Sequence, residues 1–171
     1  EAKRVGKVLS FLSKEKKVGL VSDAGTPLIS DPGLIILREV RLAGYLIVPI
    51  PGVSSITTAM SVTGFKDQFL FYGFLPKTEN ELEKILSSLS KCSFSQIFFI
   101  PALKINFYLK SFKKYFSGRK ILIAKELTKI YETLLRENID DIKTFNNRLK
   151  GELTVVVSEK SIEKNFIDKD K

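Results

Sequence analysis

Near the start of the chain, hydrophobic and polar positions follow a helix pattern, a strand run, a second helix pattern and a second strand run. Residues 1–16 place their apolar side chains on one face of a helix. The strand run Val18–Val21 precedes a loop, Ser22–Gly33, and the helix pattern Leu34–Ala43 precedes the strand run Tyr45–Val48. This order predicts a βαβ unit, in which the strand ends and the helix start form a ligand crevice.

The loop Ser22–Gly33 is unusually long for this position and contains two Asp, two Gly and two Pro residues. Loops at the carboxyl ends of buried strands are typical ligand sites. A turn follows the second strand run, and its Ser54 and Ser55 are residue types that cap the start of a helix, here predicted over Ile56–Val62. Their hydroxyls suit the polar end of a small ligand, and a plain capped turn is the alternative.

The pattern changes after a linker over Thr63–Asp67. We therefore predict a domain boundary near residue 66, a second lobe over 67–160 and a solvated tail over 161–171. Strand patterns occupy 68–75, 95–100, 120–124, 130–135 and 151–158, and helix patterns occupy 78–89, 103–116 and 139–149. Two consecutive strands near 120–136 predict a partly antiparallel sheet. The fold class is α/β with two lobes, and the cleft between lobes is the default ligand site.

Composition limits the chemistry. Among 171 residues there is one Cys and no His, which excludes internal disulfides, Cys-cluster or His metal sites, and His-based catalysis. The single Cys fits a reducing, cytoplasmic setting. No apolar run reaches the roughly 18 residues of a membrane span. Because residue 1 is Glu, inside a helix pattern, we interpret the chain as an N-terminally truncated fragment without its targeting information.

Charge points toward a polyanionic partner. The 28 Lys and Arg residues exceed the 19 Asp and Glu residues, so the net charge is +9, which suits RNA. A Lys-rich proteome with solvated helix faces is an equal alternative. The candidate RNA-binding residues lie on the helix pattern 103–116 and the turn after it: Lys110, Lys113, Lys114 and Arg119. Phe71, Tyr72 and Phe74 could stack on a base, with core or dimer packing as the stronger alternative.

Several motifs occur in a fixed order along the chain. They are Ser22-Asp23-Ala24-Gly25-Thr26-Pro27, Ser30-Asp31-Pro32-Gly33, Pro49-Ile50-Pro51-Gly52, Gly73-Phe74-Leu75-Pro76, Glu126-Leu127-Thr128-Lys129 with Glu132-Thr133, and Lys150-Gly151-Glu152. In this order and spacing the chain resembles the tetrapyrrole methylase superfamily over roughly residues 1–160, and within it the branch that modifies ribosomal RNA.

The resemblance implies a homodimer of two-lobed α/β subunits that hold S-adenosylmethionine (SAM) in the cleft between lobes. It also implies methylation of a cytidine ribose 2′-hydroxyl in the 16S rRNA of the small ribosomal subunit. Carried over by position, the cofactor-binding residues are Asp23, Ala24, Gly25, Thr26, Ser54, Ser55, Phe99, Ile100, Ala124 and Glu126. No metal is implied.

The resemblance leaves the catalytic base open. Without His, the candidates are Glu126, Lys125, Asp23 and Asp31, or a residue outside this chain. The family's N-terminal motifs are absent, and its Glu-Ser-x-His-Arg stretch is replaced in the segment Phe99–Lys104. Two alternatives therefore stay open: methylation of a small tetrapyrrole, and a non-catalytic RNA- or ribosome-binding relic. SAM binding separates the relic from either enzyme.

Overall fold

The computed structural model describes residues 2–145 and 149–160. Contacts among residues divide the chain into two compact units, Glu1–Ser55 and Ile56–Lys171. The division precedes the third helix, whereas the sequence suggested a boundary after it, near residue 66. The reason lies in Ala59 of that helix, which is fully buried against a sheet formed by later residues. Where the lobes of the family meet stays a prediction, and the predicted tail over 161–171 lies outside the described residues.

The second unit is built on a five-stranded mixed sheet. Its strands are β1 (Phe69–Phe74), β2 (Ser95–Pro101), β3 (Lys120–Lys125), β4 (Thr133–Asn138) and β5 (Glu152–Val157), and they lie in the order β1-β2-β5-β3-β4. The β1–β2 pair is parallel and the other three pairs are antiparallel. The prediction of a partly antiparallel sheet is confirmed, and β5 lies at its centre.

One face of the sheet is covered by α4 (Glu79–Leu89) and α5 (Ile105–Tyr115). Alternation along each strand sends every second side chain to this face, as the strand period requires. The fully buried side chains here include Phe98, Ile121, Val155, Leu86 and Phe112. Burial of one such Phe or Leu contributes about 1.5–3 kcal/mol, so this layer is the main core of the described chain.

The opposite face is covered by α3 (Ser55–Ser61), where Ala59 packs on Ile97, Leu122 and Val156. This second cluster is much smaller, because α3 has only seven residues. The two faces together explain why β2, β3 and β5 read as continuous apolar runs: they are buried on both sides.

The Gly73–Pro76 motif is built into this packing. Gly73 has φ 85° and lies where the β1–β2 register shifts, which requires a residue without a Cβ penalty. The carbonyl oxygens of Leu75 and Pro76 accept a hydrogen bond from the Tyr108 hydroxyl at 3.4 and 3.2 Å. Burial raises the pKa of this phenol, and the motif therefore ties the end of β1 to α5.

The predicted helix over 139–149 is wrong for residues 139–145, and residues 146–148 lie outside the described chain. Ile139 and Ile142 are buried, as the helix pattern required, but the backbone follows a turn instead. The Ile139 N–H donates to the Arg119 carbonyl at 2.9 Å, and the Asp140 carboxylate accepts the Gly118 N–H at 2.7 Å. These bonds to the β3 turn replace intrahelical bonds. The predicted strand over 130–135 is shifted for a similar reason, since residues 126–132 form the β3–β4 loop.

The first unit consists of α1 (Ala2–Leu12) and α2 (Leu34–Leu42), which pack on each other, joined and followed by irregular chain. The strands predicted over Val18–Val21 and Tyr45–Val48 are not formed among the described residues. A β-strand requires a hydrogen-bonded neighbour, and the two runs pair neither with each other nor with another described segment. The prediction of a complete βαβ unit is therefore wrong here, although its helix is confirmed. Apolar side chains on both runs stay exposed, among them Val21 at 87% and Leu46 at 88%.

Arg119 is a buried structural cation. Its side chain is 4% exposed, and its guanidinium donates to the carbonyl oxygens of Ser90, Cys92 and Ser158 at 2.6, 3.3 and 3.4 Å. It also lies over the Phe116 ring, 5.1 Å from the centroid. Burial lowers the pKa of this guanidinium, but an Arg stays protonated in proteins. Arg119 therefore joins the ends of α4, β3 and β5 and is not available to a phosphate.

Arg119→Ala is expected to lower the free energy of unfolding by about 3 kcal/mol, because three carbonyls lose a charged donor inside the protein. Urea unfolding measures this change. The matched control is Lys120→Ala, which removes an exposed cation from the next position and should cost about 0.5 kcal/mol or less. Equal effects of the two substitutions would contradict the structural role of Arg119.

Candidate functional site

The loop Ser22–Gly33 is held in a strained backbone conformation. Gly25 and Gly33 have φ values of 73° and 126°, and the non-glycine residues Leu28 and Ser30 have φ values of 74° and 58°. Each non-glycine residue in this region costs on the order of 1–3 kcal/mol, and such residues concentrate at ligand sites. The predicted importance of this loop thus has a physical counterpart in its backbone.

Side-chain hydrogen bonds close the loop and join it to the serine turn. The Ser22 hydroxyl donates to the carbonyl oxygens of Gly25 at 3.0 Å and Ala24 at 3.4 Å. The Thr26 hydroxyl donates to the Val53 carbonyl at 3.1 Å, directly before Ser54. The structure therefore brings the two predicted cofactor-binding segments of the first unit, residues 23–26 and 54–55, into contact.

The surface around this loop has room for a ligand. A Cβ built on Gly25 would meet no described atom within 4 Å, so the backbone there faces open space. A cavity of about 350 Å³ lies beside the loop, and its lining includes Asp23, Asp31 and Arg4. This volume is within the range of small-molecule sites. Two carboxylates suit an ammonium or hydroxyl groups and a guanidinium suits a carboxylate, which is the donor set that an amino acid moiety needs.

Arg4 is a site candidate that sequence reasoning missed. It lies on α1, far from the motif in sequence, and its residue type alone was indistinguishable from the other basic residues of that helix. Only the packing of α1 on α2 brings it to the loop.

In the second unit, three predicted cofactor residues lie near the carboxyl ends of β2 and β3. Phe99 and Ala124 belong to one row of the sheet, because both pair with Thr154 of β5. Phe99 is half-buried and contacts the rings of Phe71 and Phe74 edge-on at 5.0 and 5.5 Å. Phe71 thus has a packing role within the unit.

Ile100 and Ala124 are nearly inaccessible through their side chains. Ile100 is 0% exposed and packs in the cluster under α4 and α5, on the face opposite Phe99. Ala124 is 1% exposed. Contact with a cofactor is therefore open to these two residues only through the backbone.

Glu126 begins the β3–β4 loop in a left-handed conformation, with φ 52°, and Thr128 follows with φ 65°. The Glu126 carboxylate pairs with Lys129 at 2.9 Å, and the Glu132 carboxylate accepts the Thr128 N–H at 2.6 Å. The motif thus supplies the bonds that hold its own loop. Lys125, the last residue of β3, is half-buried and pairs in register with Leu153.

Glu126 also approaches the Lys150–Glu152 motif. A Cβ on Gly151, which has φ 89°, would lie 2.9 Å from Glu126 Oε1. The Gly151 carbonyl accepts the Ala102 N–H at 2.9 Å. Three stretches that are distant in sequence therefore meet at the carboxyl ends of β2 and β3, and Gly151 is needed so that the Glu126 carboxylate can approach.

The segment that departs from the family pattern forms the exit from β2. Ala102–Lys104 is a 3-10 turn, in which Ala102 is buried and Leu103 is 70% exposed. The exposed Leu103 and Lys104 now occupy the position at which the family has polar and basic side chains. No described contact of the Leu103 side chain explains this substitution.

The predicted RNA-binding lysines are exposed but not isolated. Lys110 pairs with Glu79 at 3.3 Å and Lys114 with Glu83 at 2.6 Å, while Lys113 donates to the Asp140 carbonyl at 3.2 Å. The hydrogen bond to Glu83 raises the pKa of the Lys114 ammonium. The acidic face of α4 thus neutralises part of the basic face of α5.

Comparison with known proteins identifies the family. A model of the family described as Tetrapyrrole (Corrin/Porphyrin) Methylases matches residues 2–143. The chain belongs to the tetrapyrrole methylase family. The resemblance inferred from the motifs is therefore confirmed.

Individual relatives of this tetrapyrrole methylase carry one name. Ribosomal RNA small subunit methyltransferase I of Rickettsia prowazekii is 43% identical over 154 residues, which cover 88% of this chain and 55% of that protein. The protein of the same name from Thermotoga maritima is 35% identical over 161 residues, covering 92% of this chain and 72% of that protein. The chain spans about half the length of the Rickettsia relative.

Among solved structures, the crystal structure of the methyltransferase CobJ superposes with a TM-score of 0.70 at 20% identity, covering 91% of this chain and 70% of that chain. At this identity the likeness shows the fold alone, and it confirms the predicted α/β class of this tetrapyrrole methylase. Among the described residues, none of the helices has the length and apolar character that a membrane crossing requires.

Gly151→Ala is expected to destabilise the protein more than Gly118→Ala. Both positions have positive φ, 89° and 76°, so each substitution costs roughly 1–2 kcal/mol of backbone strain. Only the Cβ at position 151 also collides with the Glu126 carboxylate. Urea unfolding of both variants, in the wild-type and Glu126→Ala backgrounds, isolates that collision. The excess cost at Gly151 should disappear without the carboxylate, and an unchanged excess would refute the contact.

Proposed function

We propose that this tetrapyrrole methylase is a SAM-dependent methyltransferase that modifies the RNA of the small ribosomal subunit. The observation that carries the proposal is the 43% identity to a protein named ribosomal RNA small subunit methyltransferase I, over 88% of this chain. The finer assignment, to the ribose 2′-hydroxyl of a cytidine in 16S rRNA, follows from the motif resemblance. The low-identity likeness to CobJ concerns the fold and does not favour a tetrapyrrole substrate.

The first unit has residues that fit the cofactor. SAM, when bound, supplies an electrophilic methyl group on a sulfonium. The open backbone at Gly25 allows close approach of a ligand, and Ala24, Thr26, Ser54 and Ser55 lie beside it. The carboxylate of Asp23 suits the cofactor's ammonium or ribose hydroxyls, and Arg4 suits its carboxylate.

Methyl transfer to a ribose hydroxyl forms a carbon–oxygen bond, breaks the carbon–sulfur bond and releases the hydroxyl proton. The chain's task is to hold the hydroxyl in line with the methyl group and to accept or relay that proton. Asp23 and Asp31 line the cavity and are our candidates for the base. Glu126 is paired with Lys129, which suits a positioning role better, and Lys125 could stabilise the developing oxyanion.

We further propose that RNA lies along the α5 face that carries Lys110, Lys113 and Lys114. Their ammonium groups are exposed, and phosphate oxygens could replace the Glu79 and Glu83 carboxylates as partners. Arg119 is left out of this surface, because it is buried.

A homodimer acting on the ribosome in the cytoplasm completes the proposal. Exposed apolar side chains in the first unit, such as Leu42 and Ile50, are of the kind that a subunit interface covers. Light scattering of the purified protein tests the oligomeric state.

The alternative of a non-catalytic relic is favoured by one observation, the replacement of the family's polar stretch by Phe99–Lys104 with Leu103 exposed. Binding of SAM with subsequent methyl transfer to 16S rRNA excludes it. RNA binding without any SAM binding would establish it.

Gly25→Ala is expected to weaken SAM binding at least tenfold, because the added Cβ occupies the space through which the ligand approaches the backbone. Isothermal calorimetry of the full-length protein measures the affinity. Gly44→Ala is a matched control: Gly44 has φ 80°, its Cβ would also meet open space, and it lies outside the loop. Both variants should lose similar stability, roughly 1–2 kcal/mol. Equal SAM affinity in the two variants would contradict the assignment of the loop.

Replacement of Lys110, Lys113 and Lys114 by Gln is expected to weaken binding of a 16S rRNA fragment. The slope of log affinity against log salt should flatten by roughly 0.7 for each phosphate of single-stranded RNA that the variant no longer neutralises. The reciprocal variant, Glu79→Gln with Glu83→Gln, releases two of these lysines and should tighten binding. Fluorescence anisotropy over a salt series measures both, and no change in either variant would remove this face from the proposal.

A further inference from the structure

One row of residues crosses all five strands of the sheet on the face that α3 partly covers. Phe74 pairs with Phe99, Phe99 pairs with Thr154, Thr154 pairs with Ala124, and Ala124 pairs with Leu134. The row lies near the carboxyl ends of β1, β2 and β3, beyond the row on which Ala59 packs. Its two predicted cofactor residues, Phe99 and Ala124, flank Thr154 on either side.

Thr154 is the polar exception in this row. It is 7% exposed, and its four row neighbours are apolar. Among the described residues, no hydrogen bond to its hydroxyl is found, although its backbone belongs to the ladder. A nearly buried hydroxyl without a partner destabilises a protein, and Val has almost the same shape without that cost. The fold alone therefore gives no reason for Thr at this position.

We propose that Thr154 binds the adenosine part of SAM, with its hydroxyl forming a hydrogen bond that the unliganded protein lacks. This inference rests on the proposed function and adds a specificity residue that no motif indicated. Small-ligand sites are mostly apolar and contain a few placed polar groups. The row fits that description: Phe99 and Phe74 provide aromatic surface for a nucleobase, and Thr154 provides one group that can both donate and accept.

The position of Thr154 suits this role because its two neighbouring strands run parallel to each other. Phe99 of β2 and Ala124 of β3 therefore present equivalent strand ends, and both segments turn away within two residues. Backbone groups released at those ends lie next to the hydroxyl. Ile97, Val156 and Leu122, in the row under α3, contain no polar atom in their side chains. The single hydroxyl thus lies where α3 ends its cover.

The test compares Thr154→Val, Thr154→Ser and Val156→Thr in the full-length protein. Calorimetry with SAM and with adenosine measures affinity, and thermal unfolding without ligand measures stability. Thr154→Val should lower both affinities roughly three- to tenfold, the worth of one hydrogen bond, and leave the unliganded Tm unchanged or higher. Thr154→Ser should keep most of the affinity. Val156→Thr, on the same strand and face but under α3, should lower Tm and leave affinity unchanged.

The opposite signs separate a ligand contact from a structural role. Wild-type affinity in Thr154→Val, or a lower unliganded Tm with unchanged affinity, would overturn the inference while the proposed function stands. Absence of SAM binding by the wild-type protein would overturn both.

Discussion

The position of β5 at the centre of the sheet is the constraint on which the second unit depends. β5 pairs antiparallel with both β2 and β3, so these two strands are parallel to each other without being neighbours. Their carboxyl ends consequently lie at one edge, together with the start of β5. This arrangement brings the exit of β2, the Glu126 loop and Gly151 together, and it also creates the row that contains Phe99, Thr154 and Ala124.

Local sequence patterns predicted the elements of the second unit well, because strands buried on both faces are long apolar runs and amphipathic helices have a clear period. The failures have identifiable causes. Ile139 and Ile142 are spaced as on a helix, but side-chain and backbone bonds to the β3 turn held them in an irregular segment. The runs Val18–Val21 and Tyr45–Val48 have strand composition, but a strand also needs a neighbour, which no single-segment pattern can supply.

The site was predictable only as far as motifs reach. Residues 23–26 and 54–55 were named from the resemblance, and the Thr26–Val53 hydrogen bond gives a physical reason for their association. Arg4 and Thr154 could not be found in this way, since the first depends on helix packing and the second on strand register. Arg119 was misinterpreted because charge in a sequence carries no information about burial. Its three carbonyl partners come from segments far apart along the chain.

The place of β5 in the chain also has a consequence for synthesis. β1 and β2 can pair as soon as they leave the ribosome, and so can β3 and β4, but β2 and β3 have no contact until β5 arrives between them. Throughout translation the nascent chain therefore exposes two apolar strand edges, which are the kind of surface that chaperones bind and that promotes aggregation. A nonsense or frameshift mutation shortly before residue 152 would leave both half-sheets open. The cell would then receive an aggregation-prone polypeptide and not merely a shorter enzyme.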